Sequence, residues 1–92
     1  MNQKRWTMRI SGRVQGVYYR AATEKSATGL GVTGYALNLP DGRVEVVAEA
    51  EPDRLKALHQ WCLQGPPAAR VDDIDVTESA ATGEFTRFAI RR

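Results

Sequence analysis

The sequence predicts an α+β fold, a two-layer sandwich in which an antiparallel sheet carries two helices on one face. Three observations predict it. Short segments alternate apolar and polar residues, so each strand has a single apolar face, as in a sheet with one side on a core and the other in water. Two other stretches have helical character, one stopping at Gly29 and the other bounded by Pro52 and Gly65-Pro66-Pro67. The elements follow the order β-α-β-β-α-β with a short extra strand at the end, which is the ferredoxin-like plan.

The first strand is expected over Arg5 to Gly12, with Trp6, Met8 and Ile10 on one face and Arg5, Thr7 and Arg9 on the other. Arg13 to Tyr19 is a connector, and Ala21 to Thr28 a helix rich in alanine. Val32 to Leu37 and Arg43 to Glu49 are two strands of a hairpin, because Pro40 and the Asp41-Gly42 pair within Asn38 to Gly42 signal a tight reversal. In the second of these, Val44, Val46 and Ala48 face one way and Arg43, Glu45 and Glu49 the other.

Pro52 and Asp53 suit the first turn of a second helix, the proline by its fixed φ and the aspartate by its charge against the dipole. Leu55, Leu58 and Cys62 then form its apolar stripe. Val71 to Thr77 and Phe85 to Ile90 complete the sheet.

At 92 residues the chain is expected to be one domain, residues 1–92, with one core. Hydrophobic residues at 42% and charged residues at 26% exclude a disordered chain. The net charge of +2 does not call for a polyanionic partner. Cys62 is the single cysteine, and no Cys/His pairs occur at zinc spacing, so the expected compartment is reducing and no metal site is read. With no signal-like apolar run in MNQKRWTMRI and no long apolar span, a soluble cytoplasmic protein is expected.

The connector holds the first candidate site. Gly12 and Gly16 permit positive φ, and successive N–H groups in such a turn can converge on an anion, helped by the helix N-terminus that follows. Arg20, a cation at the positive end of a helix dipole, has reason to be there if its planar fork of donors shares that anion. Spacing alone leaves a second reading open, a glycine loop with an arginine extended into water.

Asn38 is the other candidate. Its carboxamide can orient a water but cannot act as a general base, and asparagine is also common in hairpin loops simply because it mimics a turn. His59 lies beside the apolar stripe without a nucleophile or carboxylate to work with. Asp72, Asp73 and Asp75 read as a solvated strand face that discourages edge pairing, Cys62 as a small core hydrophobe, and Trp61 as packing at the core margin.

Four stretches, GRVQGVYYR (Gly12 to Arg20), GVTGYALNLPDGRVEVVAE (Gly31 to Glu49), GPPAARVDDI (Gly65 to Ile74) and FAIRR (Phe88 to Arg92), resemble the acylphosphatase family in register along nearly the whole chain. The resemblance implies hydrolysis of acyl phosphates to a carboxylate and inorganic phosphate, without metal or cofactor. It implies that Arg20 binds the phosphoryl group with the amides of Gln15, Gly16, Val17, Tyr18 and Tyr19, and that Asn38 positions the attacking water. Tyr18-Tyr19 stands where phenylalanine is frequent in that family, Tyr35 where tryptophan is common, and Ala50 where glycine often follows the glutamate. None of these removes a proposed catalytic group.

The expected partner is a small acyl phosphate, the expected state a monomer, with no nucleic acid and no membrane bound. A nucleic-acid module of this fold would stack bases on aromatic residues of the open sheet face. The polar face of the third strand offers Arg43, Glu45, Val47 and Glu49 instead. A regulatory or maturation module that holds an acyl or carbamoyl phosphate without turnover is the alternative function.

Overall fold

Residues 2–92 are described by a computed structural model of the chain. The elements are β1 (Lys4–Arg13), α1 (Tyr19–Leu30), β2 (Thr33–Asn38), β3 (Val44–Ala50), α2 (Pro52–Gln64), β4 (Arg70–Ala80) and β5 (Phe88–Arg91). One sheet contains all five strands in the order β4-β1-β3-β2-β5. Its inner face carries Met8, Ile10, Val44, Val46 and Ala36, which close a core with Ala27 of α1 and Leu55, Leu58 and Cys62 of α2. The ladders put these side chains opposite one another, Met8 against Val46 and Ile10 against Val44, so period-two alternation on the strands meets the helical stripes across a single layer.

The sheet is mixed where an antiparallel one was expected. The first four strands pair antiparallel, but β5 runs parallel to β2. The path of the chain explains this. After Ala80, which lies opposite Lys4, the backbone runs along one end of the sheet, past Glu49, to Arg87, whose carbonyl accepts the Gly34 N–H. β5 therefore sets out from the end at which β2 starts, and must run the same way.

Several boundaries also move. α1 begins at Tyr19 because that ring is buried, and it continues past Gly29 to Leu30, which packs on the core. It ends at Gly31, whose φ of 71° is left-handed and whose N–H returns to the Ala27 and Thr28 carbonyls. β4 extends to Ala80 by pairing with β1 along its length, although its last side chains are exposed and give no apolar signal. Phe85 stands ahead of β5 rather than in it, with its ring 5.9 Å from Tyr35 and beneath the Arg5 guanidinium at 5.1 Å.

Glu49 was expected on the solvated face, and it is instead 1% exposed. Its carboxylate accepts hydrogen bonds from Arg5 Nε at 2.8 Å and from the backbone N–H groups of Thr82 at 2.9 Å and Gly83 at 3.1 Å. Burial pushes this carboxyl up, but the Thr82 amide, Arg5 and the Gly83 amide together outweigh it and hold the group below the usual carboxylate range. The knot fixes the segment that carries the chain to β5.

The ring of Tyr19 makes the other long-range tie. Its hydroxyl donates to the Cys62 carbonyl at 2.6 Å, and burial, with the Cys62 side chain beside it, pushes the phenol far up. Its ring centroid lies 5.9 Å from that of Trp61, with the two planes tilted by 50°. A Cβ on Gly65 would stand 2.8 Å from Tyr19 Cε2, and Gly65 has a φ of 68°, so glycine ends α2 for two separate reasons.

Glu49→Ala should lower the unfolding free energy in urea by about 2–4 kcal/mol, since it strips three donors of their acceptor and leaves Arg5 only its partly exposed pair with Glu84. Because the native carboxyl is depressed, its stabilisation is complete above the unfolded-state pKa and is lost as pH falls through the lower native one. The stability gap between the wild type and Glu49→Gln should therefore narrow over that acid interval, and a gap that stays constant there contradicts the assignment. Gly65→Ala should cost about 1–3 kcal/mol, measured by thermal unfolding, from a left-handed residue and a displaced ring.

Candidate active site

The connector between β1 and α1 folds by alternating which residues go inward. Val14 and Tyr19 are buried and Val17 packs against the core, while Gly16 and Tyr18 are exposed. Three apolar side chains thus pin the loop from below. Gly16 has a φ of 76°, and Tyr18 is the only non-glycine with positive φ among the described residues, at φ 63° and ψ 24°. A left-handed tyrosine costs roughly 1 kcal/mol or more. It turns the chain directly into α1, whose first turn has no side-chain cap and no acidic residue, so no side chain there offsets the positive end of the helix.

Arg20 sits in that first turn. Its Nη1 donates to the Arg91 carbonyl of β5 at 2.9 Å, which orients the guanidinium and leaves its other N–H donors free for an anion. Asn38, the last residue of β2, faces the same space. Its Oδ1 is buried and accepts no hydrogen bond from any described residue, although buried carboxamide oxygens ordinarily have a donor. Gly16, Tyr18, Arg20, Asn38, Ile90 and Arg92 border one cleft of about 410 Å³. The arrangement can hold an anion on Arg20 and the helix end, and beside it a polar group that donates to Asn38.

Arg20, Asn38, Gly16, Tyr18 and Tyr19 all border the cleft. Gln15 and Val17 do not: the Gln15 side chain turns to the β2–β3 hairpin and Val17 packs on the core. The two tyrosines divide their work. Tyr19 is core packing, whereas Tyr18 is 86% exposed at the rim of the cleft. Tyr35, at the position where the related family commonly has tryptophan, lies 4.0 Å under the Arg91 guanidinium and donates to Glu45 Oε2 at 3.2 Å.

The other candidates fall away from the cleft. His59 meets Trp6 edge-on with centroids 6.1 Å apart. Asp72 pairs with Arg70 on the exposed edge strand, and no three His, Cys, Asp or Glu side chains form a metal-binding group among the described residues. Cys62 is wholly buried, which pushes its thiol up to about 12. Ile90, Arg91 and Arg92 were missed in the sequence, because only the parallel docking of β5 on β2 brings the chain end to Arg20.

A sequence model of the acylphosphatase family matches residues 6–90. The acylphosphatase of Marinobacter nauticus is 59% identical over 88 residues, covering 96% of each chain. That of Methylococcus capsulatus is 55% identical over 89 residues, covering 97% of each. Among solved structures, acylphosphatase from Bacillus subtilis superposes with a TM-score of 0.93 at 34% identity, over 97% of this chain and 99% of that one. Since the match spans the glycine loop, Arg20 and the Asn38 hairpin alike, the chain belongs to the acylphosphatase family and is an enzyme that hydrolyses acyl phosphates.

Proposed function

We propose that the phosphoryl group of a small acyl phosphate binds to Arg20 and the backbone amides of Gln15 to Tyr19, and that Asn38 holds the attacking water. The observation that carries this is that Asn38 and Arg20 border one cleft, and that the Asn38 Oδ1 has no donor among the described residues. A water that donates one hydrogen to Oδ1 has its lone pair free for phosphorus. Its oxygen forms the new P–O bond as the bond to the carboxylate oxygen breaks, and the electron pair leaves with the carboxylate. The water's other proton passes to an oxygen of the phosphoryl group, so no side-chain base is needed.

A carboxylate is a good leaving group, so little acid catalysis is required at the leaving oxygen. The demand is for position and for charge stabilisation on the transferred group. Arg20, its guanidinium steadied by the Arg91 carbonyl, and the uncapped helix end supply the charge. Arg92 adds a second cation at the rim.

The working unit we propose is one domain, residues 1–92, acting as a monomer, since Gly16, Arg20, Asn38 and Arg92 all come from one chain. Among the described residues no helix is long and apolar enough to cross a membrane. A reducing, cytoplasmic setting suits the lone buried thiol. The open sheet face is a poor platform for nucleic acid, because its Tyr35 and Phe85 rings are already stacked by Arg91 and Arg5. A module that binds acyl phosphate without turnover is not favoured, given relatives that match over nearly the full length.

Arg20→Lys keeps one charge but loses the fork that can meet both the Arg91 carbonyl and a phosphoryl oxygen. It should lower kcat/KM for acetyl phosphate on the order of 100-fold and weaken competitive inhibition by inorganic phosphate. Near-normal hydrolysis by this variant contradicts the role of Arg20. Asn38→Ala should lower kcat by about 100-fold while inhibition by phosphate stays within about twofold. Loss of phosphate inhibition would make Asn38 a binding residue instead.

A further inference from the structure

Gln15 belongs to the anion loop, but its side chain does not face the cleft. Its Nε2 donates to the Leu39 carbonyl at 2.8 Å and to the Arg43 carbonyl at 2.9 Å, which uses both hydrogens of the amide. Those carbonyls stand at the two ends of the β2–β3 turn. The Leu39 N–H donates to the Arg43 carbonyl at 2.8 Å, and the Gly42 N–H to the Leu39 carbonyl at 3.2 Å. The last ladder pair before the turn is Asn38 with Val44. Gln15 therefore grips the residue after Asn38 and the residue before Val44. On the loop side its neighbours are Val14, buried in the core, and Gly16, which borders the cleft.

We infer that Gln15 is a positioning residue that sets the spacing between the phosphoryl cradle and the water on Asn38, through its two hydrogen bonds to the hairpin. The inference rests on the functional reading above and goes beyond it. The cradle and Asn38 lie on separate segments joined through the sheet, and in-line attack tolerates little error in their separation: a misplacement of about 1 Å costs on the order of 100-fold in rate. The phosphoryl site itself is made by Arg20 and the loop amides. Cutting the strap therefore affects turnover and leaves phosphate affinity nearly intact. Each carbonyl keeps one other partner in the turn, so the hairpin survives the cut.

Gln15→Met keeps the stem and removes both donors. With acetyl phosphate as substrate and inorganic phosphate as competitive inhibitor, the variant should lose about tenfold or more in kcat while the phosphate inhibition constant stays within about twofold. Hydrogen exchange at the Leu39 and Gly42 amides should quicken. Gln15→Glu, of the same shape, sets a carboxylate against two carbonyls and should lose at least as much turnover; it also serves if the methionine variant does not fold. Unchanged kcat in a folded variant overturns the inference, as does a weaker inhibition constant that accounts for the whole loss. A wild type that releases no phosphate would overturn the functional reading instead. The strap is then judged by amide exchange alone, and unchanged exchange at Leu39 and Gly42 overturns it.

Discussion

The buried carboxylate of Glu49 decides where the last strand goes, and through it how Arg20 is held. Two backbone amides and the Arg5 guanidinium converge on it from β1 and from the segment after β4. A carboxylate with so little exposed surface stays charged because those donors replace its hydration. Once Thr82 and Gly83 are fixed at the end of β3, the chain reaches Arg87 beside Gly34, and β5 can only run parallel to β2. Its last strand residue, Arg91, then offers a carbonyl to Arg20 and a guanidinium to the Tyr35 ring. A stabilising knot at one end of the sheet thus orients a cation at the other.

The cradle shows the reverse exchange, in which packing offsets local strain. Tyr18 in the left-handed region is unfavourable by itself, and α1 starts without a cap. Val14, Val17 and the buried ring of Tyr19 hold the loop in that shape, with the Tyr19 hydroxyl on the Cys62 carbonyl as a directional bond. Strain of this kind tends to gather where backbone groups must point at a ligand. An anion that meets the helix end and Arg20 together also resolves the conflict between a cation and the helix dipole.

Most of the plan was legible in the sequence because alternation and turn chemistry are local. The Asn38-to-Gly42 reversal, the Pro52 helix start and the apolar stripe of α2 all sit where their residues indicate. The proposal that Gly16 and Arg20 form an anion site draws on the family resemblance as well as on their spacing. What escaped depends on contacts between distant segments. Glu49 reads as a surface charge until the Thr82 and Gly83 amides arrive, and Arg91 reads as a solvated terminus until β5 docks beside β2. Gln15 was assigned to phosphate through its place in the loop, and nothing local indicates that its side chain turns to the Leu39 and Arg43 carbonyls.

The central claim is that the loop amides, Arg20 and Asn38 face one phosphoryl group. Titrating inorganic phosphate into isotopically labelled protein and following each amide by nuclear magnetic resonance tests it most directly. Saturable shifts concentrated on the Gln15-to-Arg20 backbone amides, with the Asn38 side-chain amide moving on the same binding curve, are the predicted result. Shifts that stay linear with phosphate, or that gather at the arginines of the open sheet face and leave Gly16 to Arg20 unmoved, would contradict it.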